Sequence, residues 1–148
     1  IGEAARLEQR DIDIERMTIH IRQSKYKKDR IVPLSGYLKK GLIDYYKSDC
    51  PKQYVFNGKA TGSPLSVRAI QYIFRQTLQK TNIQKPANVH TLRHSYATHL
   101  LEEGVDILTL RDLLGHEDIN TTLDYLHVAQ FERTRAHSPL DNLYQWQK

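Results

Sequence analysis

Four side chains in the second half of the chain have types suited to chemistry on an anion: His90, Arg93, His116 and Tyr125. His90 and Arg93 stand three positions apart where a helix is expected to begin, which puts both on one helical face. A helix start offers backbone N–H donors and the favourable end of the dipole. A guanidinium there can fork onto two phosphate oxygens. His116 follows Leu114-Gly115 in an expected tight turn, and Tyr125 follows Thr121-Thr122 on a further helix. Taken singly, each has a plain structural explanation. A histidine can cap a helix or close a turn, an arginine can be a solvated surface residue, and a helical tyrosine commonly sits in a core or at its rim. His94, His99 and His127 read as structural or solvent-facing. His90, His94 and His116 have the ligand types for a metal, but no carboxylate stands where it would complete such a site.

The elements that must position these residues follow from periodicity. Residues 1–9 read as the end of a helix, and Asp11 and Asp13 mark a turn. Met17, Ile19 and Ile21 alternate with Thr18, His20 and Arg22, the pattern of a half-buried strand. Ile31, Val32 and Leu34 offer a second strand, and the polar run 23–29 between them reads as a hairpin tip. Leu38, Leu42, Ile43 and Tyr46 recur at helical spacing. Residues 51–65 are mostly loop, with room for a short strand at Tyr54-Val55-Phe56. Ser66 caps a helix whose apolar face is Val67, Ile70, Ile73, Phe74 and Leu78. A helix from about Thr91 to Glu103 carries Leu92, Tyr96 and Leu100 on one face and stops at Gly104. Asp106 caps a short helix ended by Gly115, and Asn120 or Thr121 caps one bearing Leu123, Leu126 and Val128. The resulting fold class is mixed α+β and mainly helical, a small antiparallel sheet packed on a helical bundle.

The chain has 148 residues, enough for one domain with a core of its own. It begins at Ile1 with no capping signal before it, and so reads as a fragment starting inside an element. The net charge of +5 favours a polyanionic partner, though only modestly, since many soluble domains are mildly basic. The single cysteine, Cys50, cannot form an internal disulfide, and no Cys/His cluster has zinc spacing. No apolar run approaches membrane-spanning length.

In combination the residues are far more specific than singly. His90-Thr-Leu-Arg93-His94, Leu114-Gly115-His116 and Thr121-Thr122-Leu-Asp-Tyr125 closely resemble the tyrosine recombinase family of integrases. The segment 24–35, SKYKKDRIVPLS, is similar to the family's β-hairpin, and the opening IGEAARLEQRDID to its helix and turn after the first catalytic arginine. The likeness covers nearly the whole chain, with residues about 40–85 and the extreme tail weakly matched. It implies the tyrosine recombinase catalytic fold and site-specific DNA recombination through a 3′-phosphotyrosyl intermediate. Tyr125 would be the nucleophile, Arg93 the second arginine on the non-bridging oxygens, and His90 the residue that assists proton transfer. His116 would be a transition-state donor and Lys25 the general acid for the leaving 5′-oxygen. Lys27 and Lys28 are rivals of Lys25 on the same tip, and Lys27, Lys28, Arg30 and His94 are candidates for contact with DNA.

The resemblance further implies double-stranded DNA as partner, a tetramer of the full-length protein on DNA, no cofactor, no metal and no membrane. It places the protein in the cytoplasm, in a bacterium or a phage-derived mobile element. The family's first arginine would fall immediately before Ile1, and neither Arg6 nor Arg10 stands in its place. Residues 1–148 are therefore expected to be a catalytic domain truncated at its N-terminus, without the core-binding domain, and impaired as a fragment. Leu140, Leu143, Tyr144 and Trp146 form either a docking face for a neighbouring protomer or a segment that folds back or stays disordered. Two other readings are a type IB topoisomerase, which the match around His116 and Tyr125 disfavours, and a non-catalytic DNA-binding or regulatory module of the same fold.

Overall fold

The computed structural model describes residues 1–22, 29–49, 51, 53–60, 62–127 and 129. Lys25, Lys27, Lys28, most of the expected hairpin tip, Val128 and the apolar tail lie outside them.

The chain opens with the one-turn helix α1 (Gly2–Ala5) and a 3-10 turn at Gln9–Asp11. Three short strands follow, β1 (Ile12–Asp13), β2 (Thr18–Ile21) and β3 (Arg30–Pro33). They form an antiparallel meander in the order β1-β2-β3, with Ile12 opposite Ile19 and Ile19 opposite Val32. The alternation around Ile19 thus becomes a strand with one buried face. The expected turn at Asp13 is instead part of β1, a strand too short to show any period. Helix α2 (Gly36–Asp49) drops Leu42 onto this sheet. Ile19, Leu34, Leu42 and the fully buried Val55 make one apolar core. Val55 sits in the loop and is tied down by its own N–H, which donates to the Leu7 carbonyl at 2.8 Å. The strand expected around it is reduced to a single bridge, Glu8 to Tyr54.

Helix α3 (Val67–Gln79) begins at Ser66, whose side chain accepts from the Ala69 N–H. Its apolar face is less covered than expected: Ile70, Phe74 and Leu78 are half-buried, and Val67 and Ile73 are exposed. Helix α4 (Val89–Glu102) is capped by Asn88, which accepts from the N–H groups of His90 and Thr91. Its core face is a correction to the sequence reading. Leu92 and Tyr96 are exposed, while Ala97 and Leu101 are buried and Leu100 half-buried. Hydrophobicity pointed to the larger residues, but small Ala97 faces the neighbouring helices. The 97–101 stripe carries back to Arg93, which is half-buried, while His94 beside it is exposed.

Asp106 caps α5 (Ile107–Leu114), accepting from the Leu108 and Thr109 N–H groups. Helix α6 (Asn120–Leu123) continues into a 3-10 turn at Asp124–His127. The cap expected from Asn120 or Thr121 is supplied by Asp118, whose carboxylate accepts from both the backbone and the side-chain N–H of Asn120. Ala97, Leu101, Leu110, Leu114, Tyr125 and Ala129 form a second core where α4, α5 and α6 meet.

Candidate active site

The site is built on the C-terminus of α5. The last four carbonyls of a helix lack intrahelical partners and must find them elsewhere. Gly115 turns left-handed (φ 69°), and this closes two of them. The Gly115 N–H donates to the Asp112 carbonyl and the His116 N–H to that of Arg111, both at 3.1 Å. The remaining two are taken by arginines from other elements. Arg30 Nε of β3 donates to the Leu113 carbonyl at 3.0 Å, and Arg93 of α4 donates to the Leu114 carbonyl at 2.6 Å. The turn presenting His116 is therefore held from two sides, and Arg93 is placed against it.

His116 is oriented by a residue the sequence reading did not single out. Its Nδ1 shares a 2.9 Å hydrogen bond with Oγ1 of Thr122, which is fully buried. In the neutral ring, a hydroxyl donating to Nδ1 leaves Nε2 carrying the proton and able to donate. Burial pushes the His116 pKa down, and the positive charges of Arg93 and Arg30 add to this, so the neutral ring is favoured.

Tyr125 is 7% exposed and belongs to the helical core. Its ring lies parallel to that of His116, with centroids 6.3 Å apart and planes within 3°. On its other partner, His94, the centroids are 5.4 Å apart and the planes tilted by 50°. His94 thus lies against the tyrosine ring while itself exposed, which fits its reading as structural or solvent-facing. His90 is exposed one turn before Arg93, beside a cavity of about 340 Å³ between α3 and the start of α4 that Gln71, Arg75 and Asn88 also line. So Arg93, His116 and Tyr125 are brought together through α5 and α6, while the cavity that His90 lines is lined by none of those three. Among the described residues no three of His, Cys, Asp or Glu are grouped as metal ligands, so His90, His94 and His116 form no such triad.

Arg30 is not the open cation that its place in the hairpin suggested. Its side chain is 13% exposed, and its two terminal nitrogens meet both oxygens of Glu3 at 2.9 and 2.7 Å.

Chemically, the arrangement joins a guanidinium, a neutral imidazole donor and a phenol. That set suits a phosphodiester, whose negative charge repels nucleophiles until cationic donors receive it. A phenol attacking phosphorus leaves an ester that a hydroxyl can reverse, so bond energy is kept.

The chain belongs to the phage integrase family, whose pattern it matches over residues 1–132. It is 39% identical over 137 residues to a tyrosine recombinase of Thermosipho africanus, covering 92% of this chain and 47% of that protein. Among solved structures it resembles the XerA recombinase, with a TM-score of 0.74 at 30% identity, covering 97% of this chain and 51% of the other. It also resembles the XerH site-specific recombinase bound to its difH substrate before cleavage, with a TM-score of 0.74 at 25% identity, covering 91% and 40%. The chain thus spans about half the length of the relatives it matches.

Proposed function

We propose that this chain is the catalytic domain of a tyrosine-type site-specific DNA recombinase, which cleaves and rejoins strands through a covalent bond to Tyr125. The observation that carries the reading is the stacking of Tyr125 on His116, in a turn whose carbonyl is held by Arg93. The Tyr125 oxygen attacks the scissile phosphorus, forming a 3′-phosphotyrosyl ester as the bond to the 5′-oxygen breaks. The phenolic proton passes towards His90, and the departing 5′-oxygen takes a proton from Lys25. Arg93 and His116 donate to the non-bridging oxygens as charge builds. Attack by a 5′-hydroxyl from a second duplex reverses these steps and joins new strands. Lys27 and Lys28 serve as backbone contacts on this reading.

The partner is double-stranded DNA, in keeping with the net charge of +5 and with the XerH relative solved on its substrate. Recombination of two duplexes calls for four copies of the whole protein on paired sites. The reaction belongs in the cytoplasm, where bacterial and mobile-element DNA is found. No described helix is long and apolar enough to cross a membrane.

The test uses the longest natural protein that carries this chain and a nicked duplex from which the cleaved end is lost. A covalent protein–DNA adduct should accumulate and should vanish in Tyr125→Phe. An adduct that persists in that variant would overturn the assignment.

A further inference from the structure

Arg30 and Glu3 are 27 positions apart and join two elements that no strand or helix connects directly. The pair is bidentate, and the arginine is largely withdrawn from solvent. The same guanidinium donates to the Leu113 carbonyl and lies flat against Gly115, where a Cβ would come within 2.9 Å of it. Arg30 therefore holds the backbone immediately before His116. Three of its five N–H groups are spoken for in a fixed fork, which a lysine cannot reproduce.

Glu3 gives the pair a second consequence. Its carboxyl is held below the ordinary value, first by the hydrogen bonds from Arg30, against the opposing cost of burial, and then by the charges of Arg30 and Arg93. Arg30 and Arg93 donate to the successive carbonyls of Leu113 and Leu114, so Glu3, held by Arg30, stands at the same helix terminus as Arg93, and unpartnered it would compete with a phosphate for that arginine. A carboxylate half-buried beside a phosphate site would also repel the substrate.

We propose that Arg30 is a positioning residue for strand cleavage: it fixes the His116 turn through the Leu113 carbonyl and occupies both oxygens of Glu3, so that Arg93 is left to the phosphate. The inference rests on the proposed recombinase reading and names a residue that acts through Arg93 and His116 without touching DNA.

The two roles of Arg30 separate in a double-mutant cycle, read as the single-turnover rate of adduct formation with DNA affinity measured alongside. Arg30→Ala should slow cleavage about 100-fold while DNA affinity stays within about threefold, because the lost interaction acts on the transition state. Glu3→Gln removes the competing charge, so adding it to Arg30→Ala should recover cleavage by about tenfold or more. A residue that merely braces the fold would regain stability when Glu3, left half-buried without its partner, is neutralised, but at equal folded fraction its cleavage rate would gain nothing. A double variant as slow as Arg30→Ala, or slower, would overturn the proposal. Should Arg30→Ala fail to fold, Arg30→Lys keeps the charge without the fork, and Glu3→Gln should again speed it up. If the unaltered protein forms no Tyr125-dependent adduct, the recombinase reading falls and this inference with it. An adduct in the unaltered protein without recovery in the double variant sinks this inference alone.

Discussion

The two cores of the chain are of similar size and differ in what stands at their edges. The sheet core of Ile19, Leu34, Leu42 and Val55 is apolar throughout, and its half-buried neighbours are Leu7, Ile12, Ile21, Val32 and Tyr46. The helical core includes Tyr125 itself, and Thr122 beside it is fully buried while paired to His116. One core only supports; the other has the proposed nucleophile inserted into its packing. Arg30 spans the two, leaving the sheet to reach the α5 terminus. The difference teaches that loss of packing should uncouple from loss of chemistry on the sheet side and not on the helical side.

The sharpest break in that comparison is Arg93. Arg93→Ala removes the proposed phosphate donor together with the partner of the Leu114 carbonyl. Cleavage should fall by about 1,000-fold or more, as when an oxyanion donor is lost. Denaturant unfolding should report a loss of only about 1–3 kcal/mol for the stranded carbonyl. Next come matched core truncations. Leu42→Ala and Leu110→Ala should each destabilise by about 2–5 kcal/mol in urea titration. At saturating folded protein, Leu42→Ala should cleave at nearly the normal rate and Leu110→Ala should not, because Leu110 shares its cluster with Tyr125. Equal rates for the two would erase the distinction between the cores.

Gly115→Ala tests the junction. The position has φ 69° and its Cβ would press on the Arg30 guanidinium at 2.9 Å. The strain and the displaced arginine should together cost about 1–3 kcal/mol in stability, with cleavage slowed beyond what the unfolded fraction explains. Thr122→Val keeps the shape and removes the hydroxyl that fixes His116. A loss of about tenfold in cleavage is expected, near the worth of one hydrogen bond.

Much of this framework was readable in the residues because the signals are local. Ser66, Asp106, Gly104 and Gly115 act as caps and stops where the sequence places them, each by its own side-chain or backbone chemistry. Asn88 and Asp118 do the same work for α4 and α6 and were passed over, although the residue type was visible in both cases. The core face of α4 was misread for a different reason. Hydrophobicity ranks Leu92 and Tyr96 above Ala97, but burial is decided by how closely α5 and α6 approach, and a small side chain permits that. In the site, the order of His90, Arg93, His116 and Tyr125 was legible as a pattern. The contacts that hold it were not. Arg30 meets Glu3 across 27 positions and Leu113 across 83, and no periodicity carries such a pairing.

The finest test of the comparison is the pH dependence of stability. The His116 pKa is lowered in the fold, chiefly by burial, from its ordinary 6.5. Protons therefore bind the unfolded chain in preference. The stability that His116 contributes is complete above pH 6.5 and is lost as the pH falls through its lower folded value. Glu3 is also lowered, by Arg30 first, but from 4.5, so its contribution persists until the pH drops below that value. Two acid steps should thus appear in urea midpoints measured from pH 8 to pH 3. The upper step belongs to the helical core and should be missing in His116→Gln. The lower belongs to the junction with the sheet and should shrink in Glu3→Gln. The imidazole is only partly buried, which makes the upper step the smallest effect considered. A midpoint that is level between pH 7 and pH 5 would mean that His116 is as well solvated folded as unfolded, and that its stacking on Tyr125 does not withdraw it from water.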